Sequence, residues 1–424
     1  MYFNQRKKIL LILSLVGNLG LLGLFKYADF AILQFNILGN YLNLNSEIPF
    51  LNLALPIGIS FYTFQTISYT VDVYRGNLEP SKSLKEFALY VAFFPQLVAG
   101  PIVRATEFLP QLREKIQASE TSGKVRQIII HNSNLKLGLT LMVIGFFKKM
   151  FFADNIAPFV DEIFRNPIGL DSFSIIFGSI AFGLQVYGDF SGYSDIAIGA
   201  ALILGFKIPA NFNKPFFANS PADFWRRWHI SLSSWVRDYL FLPIVYRKIG
   251  SDLVLISGVM ITFVLLGLWH GAGWNFIIFG LIHGIYVAFE IFIRRKFPSL
   301  ANNRFFKTKF GRFSSILITQ YLVFLAWISF RVEDMNHLNY SMQKFIFLDL
   351  QVDGVLNLMW QNKTTTTLVF LFILLQYFSY RQNNLLEKIS NLSLKYWGLV
   401  LSLIIILVLL FFTGNPADFI YFRF

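Results

Sequence analysis

Two of the five histidines in this 424-residue chain stand in clusters rich in aromatic residues. His270 lies in "LGLWHGAGWNF" (266–276), between two tryptophans and three glycines, where one apolar run closes and the next opens. Ionisable groups at membrane depth are costly and tend to line a pathway or a site. A neutral imidazole there is suited to take a proton from an incoming hydroxyl. The competing reading is a polar residue at a helix end, bonded to a backbone carbonyl. Gly267, Gly271 and Gly273 permit close backbone approach, so a narrow channel could pass beside the ring. His229 lies in "NSPADFWRRWHISLSSWVRDYLFLP" (219–243) and is as readily structural as catalytic. His283, in "GLIHG", reads as a core histidine satisfied by the preceding turn; His131 and His337 fall in polar loops and receive no role.

Other candidates are fewer. Asp189 and Asp195 in "YGDFSGYSDIAIG" (187–199) could bind a cation, but two acids are a weak metal signal, and capping of a broken helix is the better reading. Tyr421, in the terminal "FIYFRF", is either an interface anchor or a phenol able to carry an acyl group as a reactive ester. The chain has no cysteine, which excludes disulfides, thiolate metal sites and an acyl-cysteine intermediate. No G-x-S-x-G elbow, Walker loop, dinucleotide glycine pattern or metal-spaced His/Glu motif is present, so the usual hydrolase, ATPase and oxidoreductase readings lose support.

The elements that must position these residues are membrane helices. Residues are 55% hydrophobic and 14% charged, and mean hydropathy is +0.54. That is too little charge to solvate a soluble surface of this size. Stretches able to cross the bilayer lie near 9–25, 49–72, 135–153, 173–188, 252–269, 274–293, 314–330, 365–380 and 396–413, about nine spans. Two shorter or Pro/Gly-broken pieces, 86–103 and 194–206, read as re-entrant half-spans. A helix is predicted over 221–241, opened by Asn219 or Ser220 with Pro221 in its first turn, and closed before Pro243. It would place Trp225, His229 and Ser233 on one face and pair Asp223 with Arg226 or Arg227. With no repeat and no large polar block, residues 1–424 read as one membrane domain, its first span a retained anchor.

The net charge of +13 gathers in short loops, including Arg6, Lys7 and Lys8 before the first span and Arg294 to Arg312 after the span at 274–293. This is a positive-inside pattern, placing the N-terminus inside and the C-terminus outside, and it argues against nucleic acid as a partner.

Several long motifs then resemble the membrane-bound O-acyltransferases, in the branch of the bacterial alginate O-acetyltransferases. They are "FFPQLVAGPIVRATEFLPQL" (93–112), "YGDFSGYSDIAIGAALILGF" (187–206), "NFNKPFFANSPADFWRRWHISLSSWVRDYLFLP" (211–243), "GLWHGAGWNFIIFGLIHG" (267–284) and "FIYFRF" (419–424). That branch also includes peptidoglycan and cellulose acetylation proteins, and the teichoic-acid D-alanyl transfer protein is related to it. The resemblance implies an all-α polytopic membrane fold around a tunnel from a cytoplasmic donor site to an outer funnel, in a bacterial cytoplasmic membrane. It matches His270 to the family's near-invariant histidine, His229 to its second histidine and Tyr421 to a proposed acyl relay. Trp269, Asn275, Trp225, Arg226 and Asp238, within the same motifs, become the expected tunnel lining. It further implies acetyl-CoA as donor, with no bound cofactor or metal. The implied partner is an extracytoplasmic acyltransferase or a polysaccharide acceptor. Members usually carry two or three more apolar segments before the stretch resembling "KKILLILSLVGNLGLLGLFKY" (7–27), so a chain lacking those helices is expected. The alternative is a proton-coupled transporter or flippase of a lipid-linked saccharide. It would want paired acids within spans and a symmetric repeat, and neither stands out.

Overall fold

Lipid offers no partner for backbone N–H and C=O groups, so a segment crossing it satisfies them internally by coiling. The computed structural model describes residues 2–424 except 45–46, 98–99, 122–131, 247–249, 383, 413, 415–418 and 421–424. Every regular element among the described residues is helical.

The first helix, α1 (Tyr2–Tyr41), packs along α2 (Ile59–Arg75). Polar side chains tie the pair: the Ser14 and Thr70 hydroxyls are 3.0 Å apart, and the Thr66 hydroxyl donates to Asn18 Oδ1 at 2.6 Å. Next come α3 (Leu84–Val91) and α4 (Ala105–Thr121), joined around buried Tyr90, Phe93 and Phe108 in a small core of their own. Then α5 (Asn132–Phe146) runs into a wide π-turn, Phe147–Ala153, before α6 (Asp154–Arg165) and α7 (Ser172–Ile203). The short helices α8 (Pro221–Arg227), α9 (Ile230–Val236) and α10 (Leu242–Val245) precede the hairpin of α11 (Asp252–His270) and α12 (Trp274–Lys296). The rest comprises α13 (Pro298–Ala301), α14 (Lys309–Arg331), α15 (Met335–Ile346), α16 (Asp353–Gln361), α17 (Lys363–Arg381), α18 (Leu385–Ser390) and α19 (Leu394–Leu410). Among the described residues, five helices are long and apolar enough to cross a membrane: α1, α7, α11, α12 and α14.

The central element is α7. The pieces expected at 173–188 and 194–206 form this one 32-residue helix, opened by Asp171, whose side chain accepts from Ser174 N–H at 2.7 Å. The glycines between them do not break it, because they are contact points. A Cβ added at Gly192 would lie 2.6 Å from the Gly145 carbonyl, and one at Gly138 would lie 2.7 Å from the Gly199 carbonyl. These two pairs, each seven residues apart on its own helix, bring α5 and α7 backbone to backbone, as small residues do between membrane helices. Asp189 and Asp195 therefore sit within a continuous helix and cap nothing.

Two further expectations change. The stretch 49–72 is helical only from Ile59, after Pro56 and Gly58, whose φ of 77° turns the chain. The helix expected over 221–241 divides. Ser220 caps it as expected, accepting from Asp223 N–H at 3.2 Å, and Asp223 pairs with both Arg226 and Arg227. But Trp228 is extended and His229 takes a left-handed backbone (φ 43°, ψ 56°), so α9 starts on a new axis. After α9 the chain continues through a second π-turn, Arg237–Phe241, and passes Pro243 inside α10. Trp225, His229 and Ser233 consequently do not share a helix face.

Gly192→Ala should lower stability by about 1–3 kcal/mol through overpacking. Gly17, around which a Cβ meets open space, is the control. Gly17→Ala leaves the thermal midpoint in detergent unchanged, whereas Gly192→Ala depresses it.

Candidate active site

The site is built from the end of α11 upward. His270 is the last residue of that helix, whose final carbonyls lack intrahelical donors. Two side chains of α1 supply them. The Lys26 ammonium donates to the carbonyls of Trp269 (2.6 Å) and His270 (3.0 Å), and the Tyr27 hydroxyl donates to that of Leu268 (2.8 Å). A cation at a helix C-terminus also complements the macrodipole. The His270 imidazole is buried among Trp269, Phe279 and Phe330, with ring centroids 5.0, 5.8 and 5.1 Å away. The room left by the glycines is occupied. Gly271 faces the Phe276 ring, Gly273 the Asn275 carboxamide and Gly267 the α12 backbone, so they serve the hairpin and leave no passage at those positions.

His229 also packs on Trp269, its ring 6.3 Å from the indole. It is fully buried, with the Phe190 ring edge-on at 4.6 Å. Asn211 holds it. The Asn211 carboxamide donates to Ser194 Oγ (3.0 Å), while its oxygen accepts from the Ser231 hydroxyl (2.6 Å) and lies 3.3 Å from His229 Nδ1. Because that oxygen also accepts from the Ser231 backbone N–H, it is the acceptor for Nδ1–H. The imidazole is therefore the Nδ1–H tautomer with Nε2 basic. Burial, and then the neighbouring His270, hold it well below the usual histidine range.

The rings continue beyond His270. Phe279 stands 4.7 Å from His283, and Trp225 lies 5.1 Å from His283 and donates its indole N–H to His283 Nδ1 at 3.2 Å. His283 is thus a core histidine whose Nδ1 is bonded from α8, not from its own preceding turn. The row runs Trp225, His283, Phe279, His270, Trp269, His229.

Of the expected residues, the structure brings together His270, Trp269 and His229, with Asn275 buried in the first turn of α12 and Trp225 three steps along the row from His270. Arg226 is set apart, exposed beside a cavity of about 620 Å³ lined also by Trp225, Ser233, Thr262 and Leu266. A second cavity, about 510 Å³, lies between α1, α2 and α11 and has Trp269 and Tyr27 in its wall; the two share Val236 and Leu266. Asp238 pairs instead with Arg104 and Arg237, each at 2.7 Å. Tyr421 and His131 lie outside the described residues. Asn211, Lys26 and Tyr27 were missed by sequence reasoning. Their signal was a polar pair, "KY", inside the apolar run of the first helix, and an asparagine in "NFNKPFF".

A family model described as MBOAT, membrane-bound O-acyltransferase family, matches residues 79–332, a stretch that contains both His229 and His270. The chain belongs to the membrane-bound O-acyltransferase family. It is 36% identical over 357 residues to the peptidoglycan O-acetyltransferase of Helicobacter pylori, covering 78% of this chain and 64% of that protein. It is 37% identical over 378 residues to a probable alginate O-acetylase AlgI of Pseudomonas aeruginosa, covering 88% and 67%. The teichoic acid D-alanyltransferase of Bacillus subtilis is 30% identical over 295 residues, covering 68% and 71%. The chain thus spans about two thirds of the length of these membrane-bound O-acyltransferases.

Lys26→Met keeps the aliphatic stem and removes the donor to the Trp269 and His270 carbonyls. If that cap orients the ring, turnover falls on the order of 10²-fold, the cost of misplacing a reacting group by about an ångström. The variant should still accumulate in membranes; undiminished turnover at equal accumulation would dismiss the cap.

Proposed function

We propose that this protein is an O-acyltransferase that passes an acetyl group from a cytoplasmic donor, acetyl-CoA, across the membrane for O-acetylation of an extracytoplasmic polysaccharide. The observation that carries the reading is the family match spanning two buried imidazoles that both pack on one indole. The relatives named as acetyltransferases of peptidoglycan and alginate support the acyl group and the class of acceptor. The charge distribution supports a bacterial cytoplasmic membrane with the N-terminus inside and the C-terminus outside. A cavity of about 740 Å³ between α8, α12 and α14, with Arg294, Lys307 and Arg312 in its lining, supports an anionic donor at the basic end. The relatives named above are acyl-group transferases, which gives the transport reading no support.

In the proposed reaction His270 takes the proton of the attacking hydroxyl as that oxygen bonds the acyl carbon. The carbon–sulfur bond of the donor breaks, and the thiolate leaves with a proton returned from the imidazole. The lack of cysteine leaves direct transfer or an oxygen ester, with Tyr421 the candidate carrier and an extracytoplasmic acyltransferase the candidate receiver. His229, held by Asn211, lines the donor side.

His270→Ala should reduce envelope-bound ester acetate by about 10²–10⁴-fold at equal expression, the usual loss on removing a general base. Unchanged acetate removes its catalytic role. Tyr421→Phe keeps the aromatic ring and drops the hydroxyl; the relay demands loss of acetate, and full activity would reduce the residue to an anchor.

A further inference from the structure

The described end of the chain returns to the middle of α7. Phe419 and Ile420 are 8% and 6% exposed, although they follow the largely exposed α19. The Ile420 backbone N–H donates to Asp189 Oδ2 at 2.7 Å, and the Phe419 ring lies 4.8 Å from that of Tyr193. Asp189 is itself 3% exposed. Its other oxygen is 2.8 Å from the Lys149 ammonium, which also reaches Asp154 Oδ1 at 2.6 Å. One cation is shared by two carboxylates, so this buried cluster gains from a further donor, and the main-chain N–H of the tail is one. A buried carboxylate oxygen stripped of a donor is costly, and the tail relieves that cost.

The place of this contact on α7 matters. Asp189 and Tyr193 are four residues apart and form one stripe of the helix; Phe190 and Ser194 form the adjacent stripe at the same level. The second stripe carries the His229 site, since Phe190 packs on the imidazole and Ser194 accepts from the Asn211 side chain that holds it. The first stripe carries the tail. Gly192 makes room for the π-turn that delivers Lys149, whose backbone nitrogen would lie 3.2 Å from a Cβ there.

We propose that Asp189, which shares the Lys149 ammonium with Asp154, is a positioning residue that seats Phe419 and Ile420 beside the His229 wall, and that acyl transfer requires this contact. The proposal rests on the acyltransferase reading. It concerns Phe419 and Ile420, the residues directly before Tyr421.

Because the chain has no cysteine, a Tyr193→Cys/Phe419→Cys pair reports seating by cross-linking in membranes with a bifunctional thiol reagent long enough to bridge the space of the two rings it replaces. The cross-link should form in the otherwise unaltered protein; its absence overturns the seating. Asp189→Leu, and independently Ile420→Pro, should each weaken the cross-link. Ile420→Pro removes the donor and leaves the charge cluster whole, so it serves if Asp189→Leu fails to accumulate. In membranes supplied with acetyl-CoA, both variants should lower kcat by about tenfold or more while the KM for the donor holds, as expected for misplacement of a reacting segment. A lost cross-link with unchanged kcat overturns the functional requirement. If the parent protein transfers no acetate at all, the acyltransferase reading fails, and the cross-link alone still decides the seating.

Discussion

Two consecutive lysines on one π-turn neutralise the two carboxylates of α7, and the architecture follows from the need to bring them there. Lys148 reaches Asp195 at 2.6 Å and Lys149 reaches Asp189 at 2.8 Å, all four groups largely withdrawn from solvent. Removing one partner of such a pair costs about 3–5 kcal/mol, so the lysines must arrive intact. They arrive because α5 lies against α7 on paired glycines, and because the turn after α5 widens. The aspartates are six residues apart on α7, about 9 Å along its axis. Neighbouring lysines can serve both only by diverging from a backbone already in contact.

With that helix fixed, its remaining faces become a template. One stripe receives the chain's end, the next holds Ser194 against Asn211, and Asn211 sets the proton on His229. His270 packs on the same Trp269 indole as His229, and its helix is finished by side chains of α1. The two imidazoles are thus positioned by separate parts of the fold, one from α7 through an asparagine, the other from α1 through three carbonyls. The indole that both rings touch is the surface on which these two constraints meet.

How much of this can be read from sequence depends on whether the controlling interaction is local. The membrane class follows from composition, the Ser220 cap and the Asp223–arginine pairs from spacing within one turn, and the position of His270 at a helix end from the glycines that follow it. The unbroken α7 is not legible, because glycine within an apolar run reads as a break until the α5 backbone is seen to occupy the space. The division at His229 is equally hidden. A left-handed backbone at a residue with a Cβ is uncommon, and Asn211 holds it here by bonding the Ile230 N–H through its carbonyl as well as the imidazole through its side chain. The lysine–aspartate pairs, Lys26 with Tyr27, and the Asp189–Ile420 contact all join residues distant in the chain, and no period or spacing encodes them.

The first helix has 40 residues, a length of about 60 Å, against a hydrocarbon layer of about 30 Å. It lies at the periphery, much of it facing lipid, yet it grips the last turn of α11 through Lys26 and Tyr27. A rod of that length must tilt or protrude, and its inclination is set by its packing on neighbouring helices and by its interfacial side chains. Lys26 and Tyr27 therefore make the end of α11, and the imidazole it carries, share whatever inclination the rod adopts.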